Sequence, residues 1–173
     1  MITEIIFSRE WAIPNKHTFL IKPIGSLIAK YMGKYPGVWV DPFAGFNSPA
    51  QITNDLNPNA PTTYHLTALE FAQNLTEPYV GLLFDPPYSL RQLCEVYKSV
   101  GIKPGMKDTQ DAFMYSEVRK ALLKRHRPEI VIKCGWNTNS FGKKHGYEII
   151  EILLVSHGGQ HNDTIVTVEQ EVT

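Results

Sequence analysis

The stretch YVGLLFDPPY, residues 79–88, is the most informative part of this sequence for the fold. Its first part is an uninterrupted apolar run of strand length, which is typical of a strand covered on both faces of a sheet. The run ends abruptly in Asp85, Pro86, Pro87 and Tyr88. A strand buried on both faces predicts an α/β protein whose mostly parallel sheet carries helices on each side.

Further strands and helices alternate along the chain around this stretch. Predicted strands cover residues 37–41, 51–55 and 129–133, and two more, joined by the turn HGGQHND at 157–163, form a C-terminal hairpin. Predicted helices cover residues 19–32, 67–75, 90–100 and 111–126, and a polar loop covers Gly101 to Gln110. The hairpin is expected to add an antiparallel strand at the edge of the sheet.

Length and composition fit a single domain over residues 1–173. Hydrophobic residues make up 43% and charged residues 20% of the chain, as in an ordinary globular protein. Lys and Arg together number 17, as do Asp and Glu, so the net charge of zero gives no support to a polyanionic partner. Two cysteines predict no disulfide framework, and no apolar stretch is long enough to span a membrane. Since the N-terminus also lacks a signal-peptide layout, we expect a cytoplasmic protein without a membrane partner.

The segments that follow the predicted strands carry most of the candidate chemistry, because ligands of open α/β sheets bind outside the carboxyl ends of the strands. In DPFAG, residues 41–45, Gly45 lets a ligand approach the backbone and Asp41 can meet an amine or a hydroxyl. In NDLNP, residues 54–58, Asp55 can accept hydrogen bonds from both hydroxyls of a ribose. Taken alone, each segment can also be an ordinary turn that ends a strand.

The DPPY segment, residues 85–88, has a more specific pattern. Prolines lack N–H donors and fix the backbone, so the carbonyls around them are held rigidly and are free to accept hydrogen bonds. The Asp85 carboxylate and the Pro86 carbonyl can each accept one N–H of an exocyclic amine, and Tyr88 offers a flat face to a base. A stiff turn alone needs neither the acid nor the aromatic residue, so the pattern favours a binding function.

Two polar segments near the C-terminus supply further candidates. The loops WNTNSFG (136–142) and HGGQHND (157–163) contribute the candidate substrate-binding residues Asn137, Asn139, His157, His161 and Asn162. The two histidines and a nearby acid are metal-ligand residue types, but that spacing works best on a helix. Gly158 and Gly159 favour a turn with positive φ instead, so no metal site is predicted.

Together these segments resemble the amino-group DNA methyltransferases that use S-adenosylmethionine, particularly the adenine-N6 type. DPFAG is similar to the cofactor motif of that family and DPPY to its catalytic motif. TFLIKPIGSLI, residues 18–28, is similar to the segment that closes over the methionine end of the cofactor. The order of the three matches one of the family's permutations, and the resemblance covers essentially the whole chain. It implies a Rossmann-like class I methyltransferase fold and S-adenosyl-L-methionine as the cofactor.

The resemblance also implies roles for individual residues. The cofactor-binding residues that it implies are Thr18, Phe19, Lys22, Asp41, Pro42, Phe43, Ala44, Gly45, Asp55 and Leu56. Among them, Asp55 would hold the ribose, with Leu56 beside the adenine. The catalytic residues that it implies are Asp85, Pro86, Pro87 and Tyr88. The first two would orient the target amine and the tyrosine would stack on a flipped base, so that the methyl group passes directly to adenine N6 in DNA.

The sequence departs from the family pattern in three respects. Too few residues separate Gly45 from the next predicted strand for a full helix, so the first crossover must be short. Thr67 stands where many relatives have an acid. There is no room for a separate target-recognition domain, which predicts low or short sequence specificity. Loops such as 101–110, 136–144 and 157–163, or the partner in a homodimer, would then read the DNA.

Two other functions stay open at this point. Ribosomal base methyltransferases apply the same chemistry to RNA and also use a DPPY-type loop. A catalytically weak subunit that binds nucleic acid or cofactor and needs a partner fits the zero net charge and the missing recognition domain, although the intact DPPY argues against it. By analogy, the short chain suggests a solitary enzyme of a phage or mobile element, a monomer or homodimer in the host cytoplasm.

Overall fold

The computed structural model describes residues 4–103, 105 and 111–172, which form a seven-stranded mixed sheet flanked by helices. The strands are β1 (Ile6–Trp11), β2 (Trp39–Asp41), β3 (Ile52–Thr53), β4 (Gly81–Phe84), β5 (Ile130–Gly135), β6 (Tyr147–Ser156) and β7 (Thr164–Glu171). The helices are α1 (Lys22–Lys34), α2 (Ala68–Asn74), α3 (Leu90–Ser99) and α4 (Asp111–Leu123), with short 3-10 helices at Thr18–Leu20 and Lys143–His145. Residues 104 and 106–110 of the predicted polar loop lie outside the described residues.

The strand order is β1-β6-β7-β5-β4-β2-β3, and neighbouring strands are parallel except for the two pairs that β7 makes. The predicted antiparallel hairpin strand is therefore present as β7. The expectation that it lies at the edge is wrong, because β7 pairs with both β5 and β6. Val166 and Val168 of β7 are completely buried, which suits an interior strand.

The sequence does not predict the N-terminal strand β1. This strand pairs in parallel with β6, from Ile6 opposite Glu151 to Trp11 opposite Ser156, and forms one edge of the sheet. Its side chains are largely exposed, with no alternation of buried and exposed positions. A strand that buries neither face lacks the two-residue apolar period by which strands are recognised, and this is why it escapes prediction.

Two apolar cores cover the two faces of the sheet. On one face, α1 buries Ile24, Leu27, Ile28 and Tyr31, the residues that sequence periodicity assigns to its inner side. On the other face, α2 and α4 pack against the sheet with side chains that include Phe71. Alternate residues of β4 and β5 point into opposite cores, so these strands are buried on both faces, as their apolar runs predict.

The fold brings the polar loops to one edge of the sheet. Because β2, β3, β4 and β5 are parallel, the segments that follow them leave the sheet in the same direction. Residues 42–51, which connect β2 to β3, contain no helix, which confirms the predicted short crossover. Among the described helices, none has the length and apolar character that crossing a membrane requires.

Candidate active site

A cavity of about 640 Å³ opens where β2, β3 and β4 end. Its wall is formed by residues 16–19, 42–47, 54–56, 66–69 and 85–88 and by side chains of α3 between Gln92 and Ser99. The volume and the position at the carboxyl ends of parallel strands are typical of cofactor sites in open α/β sheets.

Asp41 organises the first loop of this cavity from behind. Its completely buried carboxylate accepts hydrogen bonds from the Phe43 N–H at 2.9 Å and from the Ser48 hydroxyl at 2.6 Å. The pKa of Asp41 is raised to about 7, chiefly by burial and also by the carboxylates of Asp85 and Asp55, while the two hydrogen bonds act in the opposite direction. Asp41 thus shapes the loop, and the cavity wall itself begins at Pro42.

Gly45 and Asp55 join the loops after β2 and β3. Gly45 has a φ of +56°, which favours glycine, and its N–H donates to Asp55 Oδ2 at 2.9 Å. The Asn57 N–H donates to Asp55 Oδ1 at 2.8 Å. A carboxylate oxygen has two lone pairs, so each oxygen of Asp55 can accept a further hydrogen bond from a ligand. Asp55 lines the cavity and is half-buried.

Asn54 is a site-shaping residue that sequence reasoning did not single out. Its buried side-chain amide donates to the Pro42 carbonyl at 3.1 Å and to the Leu66 carbonyl at 3.0 Å, and accepts from the Leu66 N–H at 2.9 Å. Its backbone carbonyl accepts from the Ala44 N–H at 2.9 Å. Asn54 thereby fixes the spacing of three cavity segments. Its only sequence signal is its place between a strand and the acid Asp55.

The DPPY loop forms the wall next to these segments. The Tyr88 hydroxyl donates a hydrogen bond to Asp85 Oδ1, and the Thr18 side chain also hydrogen-bonds to Asp85. The Tyr88 N–H donates to Gln92 Oε1 of α3 at 2.7 Å, and the Pro87 carbonyl accepts from the Tyr115 hydroxyl of α4 at 2.9 Å. Both flanking helices therefore hold the loop in place.

Burial dominates the electrostatics of this loop. It raises the pKa of Asp85, against hydrogen bonds from Tyr88 and Thr18 and the positive charge of Lys133, all of which lower it. Burial also raises the pKa of the Tyr88 phenol, and the neighbouring Asp85 and Cys134 add to that effect. The phenol is therefore a hydrogen-bond donor to Asp85 at neutral pH.

The ring of Tyr88 packs edge-on against Trp136, with centroids 5.7 Å apart and planes at 68°. Trp136 follows β5 directly and is 40% exposed. Sequence reasoning did not single it out, although an aromatic residue directly after a strand end was a usable signal. In this arrangement the carboxylate that is predicted to hold the target amine holds the Tyr88 hydroxyl instead, so an incoming amine has to displace that hydroxyl.

Most predicted site residues meet at the cavity. Those that line it are Thr18, Phe19, Pro42, Phe43, Ala44, Gly45, Asp55, Leu56, Asp85, Pro86, Pro87 and Tyr88. Lys22 is exposed at the start of α1 and is not part of the wall. Asn137 and Asn139 are exposed in the loop after β5, and His161 and Asn162 are exposed in the turn between β6 and β7. The substrate-binding roles of these four residues stay predictions.

His157 has a structural position. The buried ring donates from Nδ1 to the Ala12 carbonyl at 2.9 Å and accepts at Nε2 from the Thr164 hydroxyl at 2.8 Å, which ties the turn to the end of β1. Gly158 and Gly159 have φ of +68° and +60°, which confirms the predicted positive-φ turn. Within residues 4–103, 105 and 111–172, no group of three or more His, Cys, Asp or Glu side chains is placed to hold a metal ion.

Two solved structures are similar to this chain. HI0767 from Haemophilus influenzae, described as a proposed methylase, matches with a TM-score of 0.52 and 9% identity over 87% of this chain and 89% of its own. TrmN from Thermus thermophilus matches with a TM-score of 0.56 and 16% identity, over 88% of this chain and 49% of its own. No protein-family profile and no curated protein sequence matches the chain. These likenesses show that the chain has the α/β fold of class I methyltransferases.

Proposed function

We propose that this protein transfers a methyl group from S-adenosyl-L-methionine to the N6 amino group of adenine in DNA, with low or short sequence specificity. The observation that carries the proposal is the meeting of two loops across one cavity. Gly45 and Asp55 lie on one wall, and Asp85 and Pro86 lie on another. The shared fold with HI0767 and TrmN supports a methyltransferase, and the DPPY pattern supports an amine as the acceptor.

The first wall suits the cofactor in its chemistry. Asp55 has acceptor capacity left for ribose hydroxyls, and Leu56 offers an apolar surface beside it for the adenine ring. A Cβ atom at Gly45 would meet no protein atom within 4 Å, so the backbone there is open to a ligand. When bound, S-adenosylmethionine supplies the activated methyl group.

The second wall suits the amine. The Asp85 carboxylate and the Pro86 carbonyl are two acceptors on a stiff loop, and the amine has two N–H donors. Accepting both hydrogens leaves the nitrogen lone pair directed away from the loop, toward the methyl donor, so the rate depends on orientation and needs no covalent enzyme intermediate. Asp85 is also a base beside the nitrogen that loses a proton after the transfer.

The experiment is an assay with methyl-labelled S-adenosylmethionine and single-stranded DNA, duplex DNA or RNA of mixed sequence, followed by nucleoside analysis. We expect N6-methyladenine from DNA in many sequence contexts, its loss in Asp85→Ala, and its retention in the control Glu77→Ala, an exposed acid far from the cavity lining. Product in RNA alone would assign the enzyme to RNA. Cofactor binding without any product would favour a subunit that needs a partner, and methylation at one strict site would refute the low specificity.

A further inference from the structure

A buried lysine lies beside the proposed amine site. Lys133 is in β5, where it pairs with Phe84, the residue before Asp85 on the neighbouring parallel strand β4. It is only 8% exposed. Lysine is almost never buried to this extent unless its charge is paired, so this position calls for a partner.

The end of β5 is shaped around the lysine ammonium. Lys133 Nζ donates to the backbone carbonyl of Asn137 at 3.3 Å and to its side-chain Oδ1 at 3.2 Å. A Cβ atom at Gly135 would lie 2.8 Å from Nζ, so glycine there leaves the room that the ammonium occupies. Asn137 Oδ1 also accepts from the Asn139 N–H at 2.9 Å. Lys133 therefore joins β5 to the loop that follows it.

Charged groups from three neighbouring elements face this ammonium. They are Arg119 of α4, Glu169 of β7 and Asp85 after β4, together with the thiol of Cys134. Burial lowers the pKa of Lys133 and Arg119 lowers it further, whereas the other three groups raise it. The Glu169 carboxylate already accepts from the N–H groups of Phe141 and Gly142, both at 2.8 Å.

The groups around Asp85 divide into those that favour its charge and those that oppose it. Tyr88 and Thr18 donate hydrogen bonds to it and Lys133 adds a positive charge, all favouring ionisation. Burial opposes ionisation, and so do the nearby Asp41 carboxyl and the Cys134 thiol. When a target amine displaces the Tyr88 hydroxyl, the contribution of Lys133 remains in place.

We propose that Lys133 is a positioning residue for the Asp85 carboxylate: it keeps that buried carboxylate ionised and, through Asn137, holds the loop after β5 beside the DPPY loop. An ionised carboxylate accepts hydrogen bonds at both oxygens, whereas a protonated one donates from one of them and cannot accept the amine there. The inference takes the identity of the amine from the proposed function. The effect of Lys133 on Asp85 is independent of it.

Carbon NMR of protein labelled at the aspartate carboxyl carbons reads the titration of Asp85 without substrate or cofactor, with the resonance assigned by Asp85→Asn. Lys133→Gln keeps a hydrogen-bond donor near Asn137 and loses the charge, whereas Lys133→Met loses both. We expect the pKa of Asp85 to be higher than in the wild type in both variants. The control is Lys120→Met, which removes an exposed cation that is paired with Glu117 on the same helix. It should leave Asp85 unchanged.

The pH profile of kcat/KM provides the second readout. Activity requires ionised Asp85 and rises with pH, so a higher pKa moves the acid limb of the profile to higher pH in Lys133→Gln and restores activity at alkaline pH. An unchanged titration of Asp85 in both variants overturns the inference, and so does a uniform loss of activity with an unmoved acid limb. Absence of activity in the wild type refutes the proposed function, and the NMR titration still decides the role of Lys133.

Discussion

The buried carboxyl of Asp41 gives a stability prediction that needs no assumption about function. Its pKa rises from 3.8 to about 7 on folding because the group is completely buried. Between those values the folded protein holds a proton that the unfolded chain releases, so stability falls as pH rises. Each pH unit of that difference costs about 1.4 kcal/mol, and the whole rise costs about 4 kcal/mol once the pH is above the folded pKa.

Asp41→Asn removes this cost while it keeps the local contacts. The asparagine carbonyl can accept from the Phe43 N–H, and its amide can donate to the Ser48 hydroxyl, so both hydrogen bonds of the loop survive. The free energy of unfolding of the variant should therefore exceed that of the wild type by an amount that grows from near zero at about pH 4 toward about 4 kcal/mol at about pH 8.

Urea unfolding of both proteins across this pH range measures the difference directly, since the linear extrapolation gives the free energy of unfolding at each pH. Glu77→Gln, at a fully exposed acid, is the matched control and should show no such growth. A difference that is constant with pH, or that turns in favour of the wild type as pH rises, would refute the reasoning.

Three further predictions concern the cavity. Asn54→Ala removes three side-chain hydrogen bonds from a buried position and should lower the free energy of unfolding by about 2–4 kcal/mol, whereas Asn59→Ala, at an exposed position, should change it little; urea unfolding measures both. Asp55→Ala should weaken S-adenosylmethionine binding by about tenfold or more in calorimetry, and unchanged affinity would remove Asp55 from the site. Tyr88→Phe removes the hydroxyl that donates to Asp85, so the pKa of Asp85 should rise in a carboxyl NMR titration; a fall would contradict the assignment.

Much of the fold is predictable from the sequence because local patterns report burial. The buried face of α1 follows from its 3.6-residue period, and the two-sided burial of β4 and β5 follows from their apolar runs. The cavity loops were predictable for a related reason, since polar residues at the ends of such strands meet at one edge.

The remaining features depend on which strands become neighbours, and local sequence does not encode this. β7 reads as a hairpin strand in sequence, but its interior place depends on the free edge of β5. Lys133 reads as the charged end of a strand, whereas β5 continues to Gly135 and buries the lysine. β1 exposes both faces, and its aromatic residues follow no period.

The hold of two helices on the DPPY loop has an entropic consequence. Gln92 of α3 bonds the Tyr88 N–H and Tyr115 of α4 bonds the Pro87 carbonyl, on a backbone that two prolines already restrict in the unfolded chain. The conformational entropy of this loop is therefore lost during folding and not when a substrate arrives. A bound amine then meets acceptors that need no reorganisation, and its binding energy remains available for aligning the nitrogen with the methyl group.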